Sequence, residues 1–140
     1  MTRSEVRRIL WGYQNARVRL LKATMEKSEI YDLMTSISVD YSKVKVVSSA
    51  SSDRMSSLMV RMENLMDKVD KAVKDATSEM EYVRDLIDLV SDVRTQEVLT
   101  RRYIVGESWK DIAEEMSTDT RSLLRRQAKG IDEIIWRNKW

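Results

Sequence analysis

The sequence predicts an all-α protein, a long antiparallel, coiled-coil-like helical hairpin followed by a small helical domain. Three observations carry this. The 140-residue chain holds no proline and only three glycines, so little in it interrupts a helix. Apolar residues recur at intervals of three and four along two long stretches. Beyond about residue 93 that pattern gives way to short segments, each with its own capping residue.

The first helix is expected over about residues 3–37. Thr2 and Glu5 have the spacing of a capping box. Val6, Ile9, Tyr13, Ala16, Leu20, Ala23, Ile30, Met34 and Ile37 then form a heptad seam, with Lys27 its one polar member. Residues 38–53, rich in serine and without a helical stripe, read as a loop with a short extended piece at 43–47. Asp53 is the expected N-cap of a second helix over about 54–92. In it Met55, Met59, Met62, Met66, Val69, Val73, Ala76, Met80, Val83, Ile87 and Val90 follow a strict four-three spacing. Leu58, Leu65, Ala72 and Leu86 widen the stripe beyond a two-position seam. Methionines at this spacing read as core, although a soft partner-binding groove is the alternative. Two helices of matched length pack most economically as an antiparallel hairpin, residues 1–93, and the stripe's width leaves room for a homodimer through this arm.

The terminal segment, residues 94–140, is expected to be a separable domain. Thr95 is the expected cap of a helix carrying Val98, Leu99 and Tyr103 and ending at Gly106. Ser108 caps the next, over Trp109–Met116, with Asp111 at its third position and Ile112, Ala113 and Met116 on its buried face. After a turn at Ser117 and Thr118, Asp119 caps a last helix anchored by Leu123, Ile131, Ile134 and Ile135. Two helices joined by so tight a turn form a helix-turn-helix, the second being the reader.

Charge is unevenly spread. The net charge is +2, yet residues 120–140 carry six basic and two acidic side chains. A local positive end on a nearly neutral chain suits a small nucleic-acid contact better than general polycation binding. With neither cysteine nor histidine, the chain lacks thiol nucleophiles, zinc-finger ligands and imidazole bases. Carboxylate pairs such as Asp67/Asp70 and Asp85/Asp88 are expected on the outer face of the second helix as solvated charges. No phosphate-cradling glycine loop is present, and no enzyme activity, catalytic residue, cofactor or metal is expected. No apolar run has membrane-spanning length, so a cytoplasmic protein without a membrane partner is expected.

The run EVLTRRYIVGESWKDIAEEM, followed by Asp119, Leu123 and Ile131, resembles the promoter-reading region four of bacterial sigma factors. Val98, Leu99, Arg102, Tyr103, Gly106, Ser108, Ile112, Ala113 and Met116 stand at matching positions. Over the whole chain, the long first helix, the SSASSDRM segment, the heptad helix and this terminal run resemble phage and prophage regulators similar to the ArpU- and RinA-type late-gene activators. Three residues depart from the sigma pattern: Ser117 at a turn position usually held by glycine, Arg126 where an apolar residue packs, and Gly130 in place of alanine. Nothing in the chain resembles the sigma region that melts the −10 element, so it does not read as a complete sigma factor.

The resemblance implies a sequence-specific DNA-binding activator of phage late genes, acting on double-stranded DNA in a bacterial cytoplasm with host RNA polymerase as a second partner. It places Thr120, Arg121, Leu124 and Arg125 toward bases. Arginine reads guanine with two hydrogen bonds, and leucine can touch a thymine methyl. Ser108, Lys110, Ser122, Arg126 and Lys129 are the expected phosphate contacts. Trp109 reads as core between helices, and Trp136 and Trp140 as packing or interface residues. The competing functions are a DNA-packaging oligomer like the small terminase subunits and a polymerase-binding module that touches no DNA.

Overall fold

The structure, a computed structural model, describes residues 1–43 and 49–139, with 37–43 and 49–52 described as backbone only. All regular structure among the described residues is helical. It comprises α1 (Arg3–Lys43), α2 (Ser49–Asp88), α3 (Val93–Leu99) running on into a π-helical turn (Thr100–Val105), α4 (Trp109–Glu115) and α5 (Thr120–Arg137). The chain forms two compact units, Val18–Ala76 and Met1–Arg17 with Thr77–Trp140. The contacts therefore divide differently from the expected boundary at residue 93.

In the first of these, α1 and α2 pack against each other in antiparallel order. Lys22 and Ala23 lie beside Ala72 and Asp75, whereas the later Lys27 reaches back to the earlier Asp70 at 2.9 Å. Lys27, the one polar residue of the seam, is thus answered by a carboxylate expected to be an outward charge. The seam is thin. Ala23, Val69 and Ala76 are buried, while Leu20, Ile30, Met34, Met55, Met59, Met62, Met66 and Val73 are half-buried. The methionines do lie on the seam. Ile37 falls among the residues described as backbone only.

Helix boundaries differ from expectation on both sides of the serine-rich segment. α1 continues six residues past Ile37 to Lys43, and α2 begins at Ser49, so Asp53 lies inside it rather than capping it. Serine costs a helix only about 0.5 kcal/mol relative to alanine, and the segment lacks proline and glycine, so absence of a stripe did not stop either helix. The extended piece expected at 43–47 falls outside the described residues except for Lys43, which is helical.

The second unit has a principal core and a smaller one. Val6, Leu10 and Tyr13 of α1 and Val83, Leu86 and Ile87 of α2 meet Val90, Leu99, Tyr103, Ile131 and Ile134. Each such side chain contributes about 1.5–3 kcal/mol on burial, so the end of the hairpin and the terminal helices stabilise one another. Val98, Ile112, Ala113, Met116 and Leu123, with Trp109 against them, make a second cluster where α4 meets α5. α1 starts at the expected capping box: the Glu5 amide donates to Thr2 Oγ1 at 3.2 Å and the Thr2 amide to Glu5 Oε2 at 2.9 Å.

α2 ends at Asp88, four residues early, because the Leu89 and Val90 amides turn back to Leu86 and Ile87 and drop Val90 into the core. Asp92, not Thr95, caps α3. Its carboxylate accepts from the Thr95 amide at 3.1 Å and the Thr95 hydroxyl at 2.7 Å, which leaves Thr95 buried in the first turn.

Candidate nucleic-acid interface

Two caps and one turn build the helix-turn-helix. Ser108 Oγ accepts from the Asp111 amide at 3.1 Å and opens α4, and Asp119 accepts from the Ser122 amide at 2.7 Å and opens α5. Between them the chain makes a Schellman turn. The Thr118 amide donates to Ala113 O at 2.9 Å and the Ser117 amide to Glu114 O at 3.3 Å, which requires a left-handed residue at position 117. Ser117 adopts it, at φ 52°. The sequence's departure from glycine is therefore absorbed as local strain, on the order of 1 kcal/mol.

α5 presents two faces. Leu123, Gln127, Gly130, Ile131 and Ile134 face the interior. Thr120, Arg121, Leu124, Arg125 and Lys129 are exposed, and at about 100° per residue Arg121, Arg125 and Lys129 share a stripe opposite the buried one. None of these three cations has an ion-pair partner among the described residues. The Asp119 carboxyl is held below its ordinary range, first by the bonds from Ser122 and then by the charges of Arg125 and Arg121, which places both arginines near the N-terminus of α5.

The other expected contacts separate. Ser108 and Lys110 are exposed at the start of α4, while Ser122 is half-buried with its amide engaged by the cap. Arg126 is half-buried and pairs with Asp92 at 3.0 Å, so it bridges α5 to the cap of α3. An arginine thus occupies an apolar-looking position because a carboxylate meets it there.

Several supporting residues carried no conspicuous signal in sequence. Gln127 is buried and accepts the Tyr103 hydroxyl proton at 2.5 Å. It lies one turn from both Leu123 and Ile131, so its place on the buried stripe was visible, but its partner was not. Gly130 lets α5 press on α3, since a Cβ there would lie 2.8 Å from Thr95 Cγ2 and 3.1 Å from Leu99 Cδ1. Arg3 reaches from α1 to Asp132 through two bonds of 2.7 and 2.6 Å, and Glu133 accepts from the Ser91 amide at 3.0 Å. The helix behind the cationic stripe is held along its length.

The π-helical turn fixes the support helix. The Arg102 guanidinium stacks between Trp11 and Trp109, 4.7 and 4.9 Å from the ring centres, and donates to Glu107 O at 3.0 Å. Gln14 of α1 donates to the carbonyls of Tyr103 and Ile104 at 3.1 and 2.6 Å, serving acceptors of the widened turn. Arg101 gathers Glu97, Glu107 and Glu115, and Gly106 closes the turn at φ 88°. Trp109 packs as expected, Trp136 is exposed, and Trp140 lies outside the described residues.

No helix among the described residues is long and apolar enough to cross a membrane. No family model, curated protein or solved structure matches the chain.

Proposed function

We propose that the protein is a sequence-specific DNA-binding transcriptional regulator that uses α5 as its reader and activates phage late genes. The observation that carries the DNA-binding part is the unpaired cationic stripe of Arg121, Arg125 and Lys129 on a helix whose opposite face is locked by packing and bonds. A reader helix must hold its arginines within a few tenths of an ångström of base edges, and a rigid backing lowers the cost of doing so. The class of target, late promoters, comes from the sequence resemblance to sigma region four and to phage activators.

In this reading the N-terminal half of α5 enters the major groove. Arg121 and Arg125 each offer a two-bond fork to guanine O6 and N7, and Leu124 meets a thymine methyl. Ser108 and Lys110 at the start of α4, with Ser122 and Lys129 on α5, hold phosphates. Arg126 joins them only by giving up Asp92, so it is the weakest of the expected phosphate contacts. The protein then presents RNA polymerase to the promoter it marks.

Selection from a random duplex pool with the purified full chain tests this. Enrichment of one motif, with affinity falling steeply as salt rises, is the expected result. Failure to retain any duplex at low salt would reject DNA reading and favour the polymerase-binding module. Binding without enrichment, in a ring-shaped oligomer, would favour a packaging component.

A further inference from the structure

We propose that the face of the Val18–Ala76 unit carrying Leu33, Leu58, Leu65 and Ala72 is the docking surface for a second copy of this chain, closing two hairpins into a four-helix bundle. The stripe Leu58, Leu65, Ala72, Leu86 repeats at multiples of seven residues along α2. Leu86 is 2% exposed, covered within the core of its own unit, whereas Leu58 and Leu65 are 37% and 48% exposed. On α1, Leu33 is 48% exposed and stands seven residues on from Glu26, which with Arg19, Lys22, Ala23, Ala72 and Asp75 lines the cleft on this side of the pair. One pattern is thus buried at one end and open at the other.

The unit does not hold itself together by its own core. Among its described residues only Ala23, Val69 and Ala76 are buried apolar side chains, and the seam methionines remain half-exposed. Long helices draw most of their stability from packing an apolar face, and an alanine-lined seam supplies little of it. A second hairpin laid over the open face supplies the missing layer, the arrangement of a helical bundle.

Area and charge both select a second copy. The segment of α2 from residue 53 to 76 is about 36 Å long, and a two-helix face is about 20 Å wide. Covering it removes on the order of 700 Å² per protomer, close to the roughly 800 Å² each partner gives to a standard interface. Between Val18 and Ala76 the chain carries ten basic and nine acidic residues. So balanced a surface does not repel its own copy, and it offers no net charge to nucleic acid or to a strongly acidic or basic protein. The other exposed stripe, Val18, Leu21 and Met25 on α1, spans only about two turns and is interrupted by Gln14, Ser28 and Asp32 at its continuing positions.

If the proposed DNA reading also holds, each dimer carries two reader helices and its site has two half-sites. The dimer itself is tested without DNA, so its failure and that of the reading are distinguishable. Sedimentation equilibrium of the full chain from about 1 to 100 μM spans the weak end of affinities for an interface of this size. The expected mass is about twice the 16.4 kDa chain. Leu58→Glu with Leu65→Glu should return it to one chain with helicity unchanged, because both sites are already part-exposed in the monomer. Val60→Glu, on the far side of α2, should leave the dimer intact. A single-chain mass at every concentration would overturn the proposal. So would a dimer that survives the double variant and is lost in Leu21→Glu.

Discussion

Replacing Gly130 by alanine should destabilise the protein, although alanine is the better helix former. In α5 the exchange gains about 1 kcal/mol of helix propensity. Against it, the new Cβ would sit 2.8 Å from Thr95 Cγ2 and 3.1 Å from Leu99 Cδ1, with Leu99 fully buried. Thr95 cannot swing its methyl aside freely, because its hydroxyl is bonded to Asp92 at 2.7 Å and rotation would break the α3 cap. Overpacking of this kind costs about 1–3 kcal/mol, which leaves a net loss of about 1 kcal/mol, or about 3 °C in melting temperature. Thr95→Ser removes the obstructing methyl and keeps the hydroxyl, so it should offset much of the loss. Urea unfolding of the two single variants and the double variant should give a favourable coupling of about 1 kcal/mol. A Gly130→Ala protein as stable as the parent, with additive effects in the cycle, would refute the close approach of α5 to α3.

The strain at Ser117 should be relieved by Ser117→Gly, raising stability in the same urea assay by up to about 0.5 kcal/mol after glycine's own entropy cost, whereas a loss would show that the turn is unstrained. A fragment of residues 94–140 should be largely unfolded by circular dichroism, because Leu99, Tyr103, Ile131 and Ile134 would lose the α1 and α2 residues that bury them; a cooperative melt of the fragment would contradict this. The carboxyls of Asp92, Asp119, Asp132 and Glu133 are all held below their ordinary range, chiefly by hydrogen bonds to Thr95, Ser122, Arg3 and Ser91 respectively. Depressed carboxyls contribute stability that is fully present above the unfolded range near pH 4 and is lost as pH falls through the folded values. The melting temperature should therefore be flat between about pH 5.5 and 7.5, with no histidine to titrate, and fall below about pH 4, less steeply in Asp132→Asn.

Periodicity and capping chemistry made most of the fold legible. The two long helices follow from the three-four spacing, and the boundaries at Ser108, Asp119 and Gly106 follow from residues whose side chains or backbone freedom satisfy helix ends. Residues 38–43 and 49–53 are helical where a loop was expected, because a missing stripe says where a helix has no buried face, not where it ends. Asp92 caps α3 where Thr95 was expected, because either residue type can cap; burial of the threonine decides, and burial depends on tertiary packing. At the candidate interface, the outward cationic stripe of α5 was readable from spacing alone. Its backing was not. The Arg126–Asp92 pair, the Gln127–Tyr103 bond and the stacking of Arg102 on Trp11 join residues 34, 24 and 91 positions apart, and no local pattern encodes them.

Fluorescence anisotropy on a selected duplex and its scrambled counterpart, at several salt concentrations, tests the assignment of α5 as the reader most directly. Arg121→Ala and Arg125→Ala should each cost about 1–3 kcal/mol on the selected site and narrow its advantage over scrambled DNA. Lys110→Ala and Lys129→Ala should weaken both duplexes alike and lower the salt dependence by about one contact each. Both arginine variants keeping the full preference for the selected site, with helicity unchanged, would contradict it.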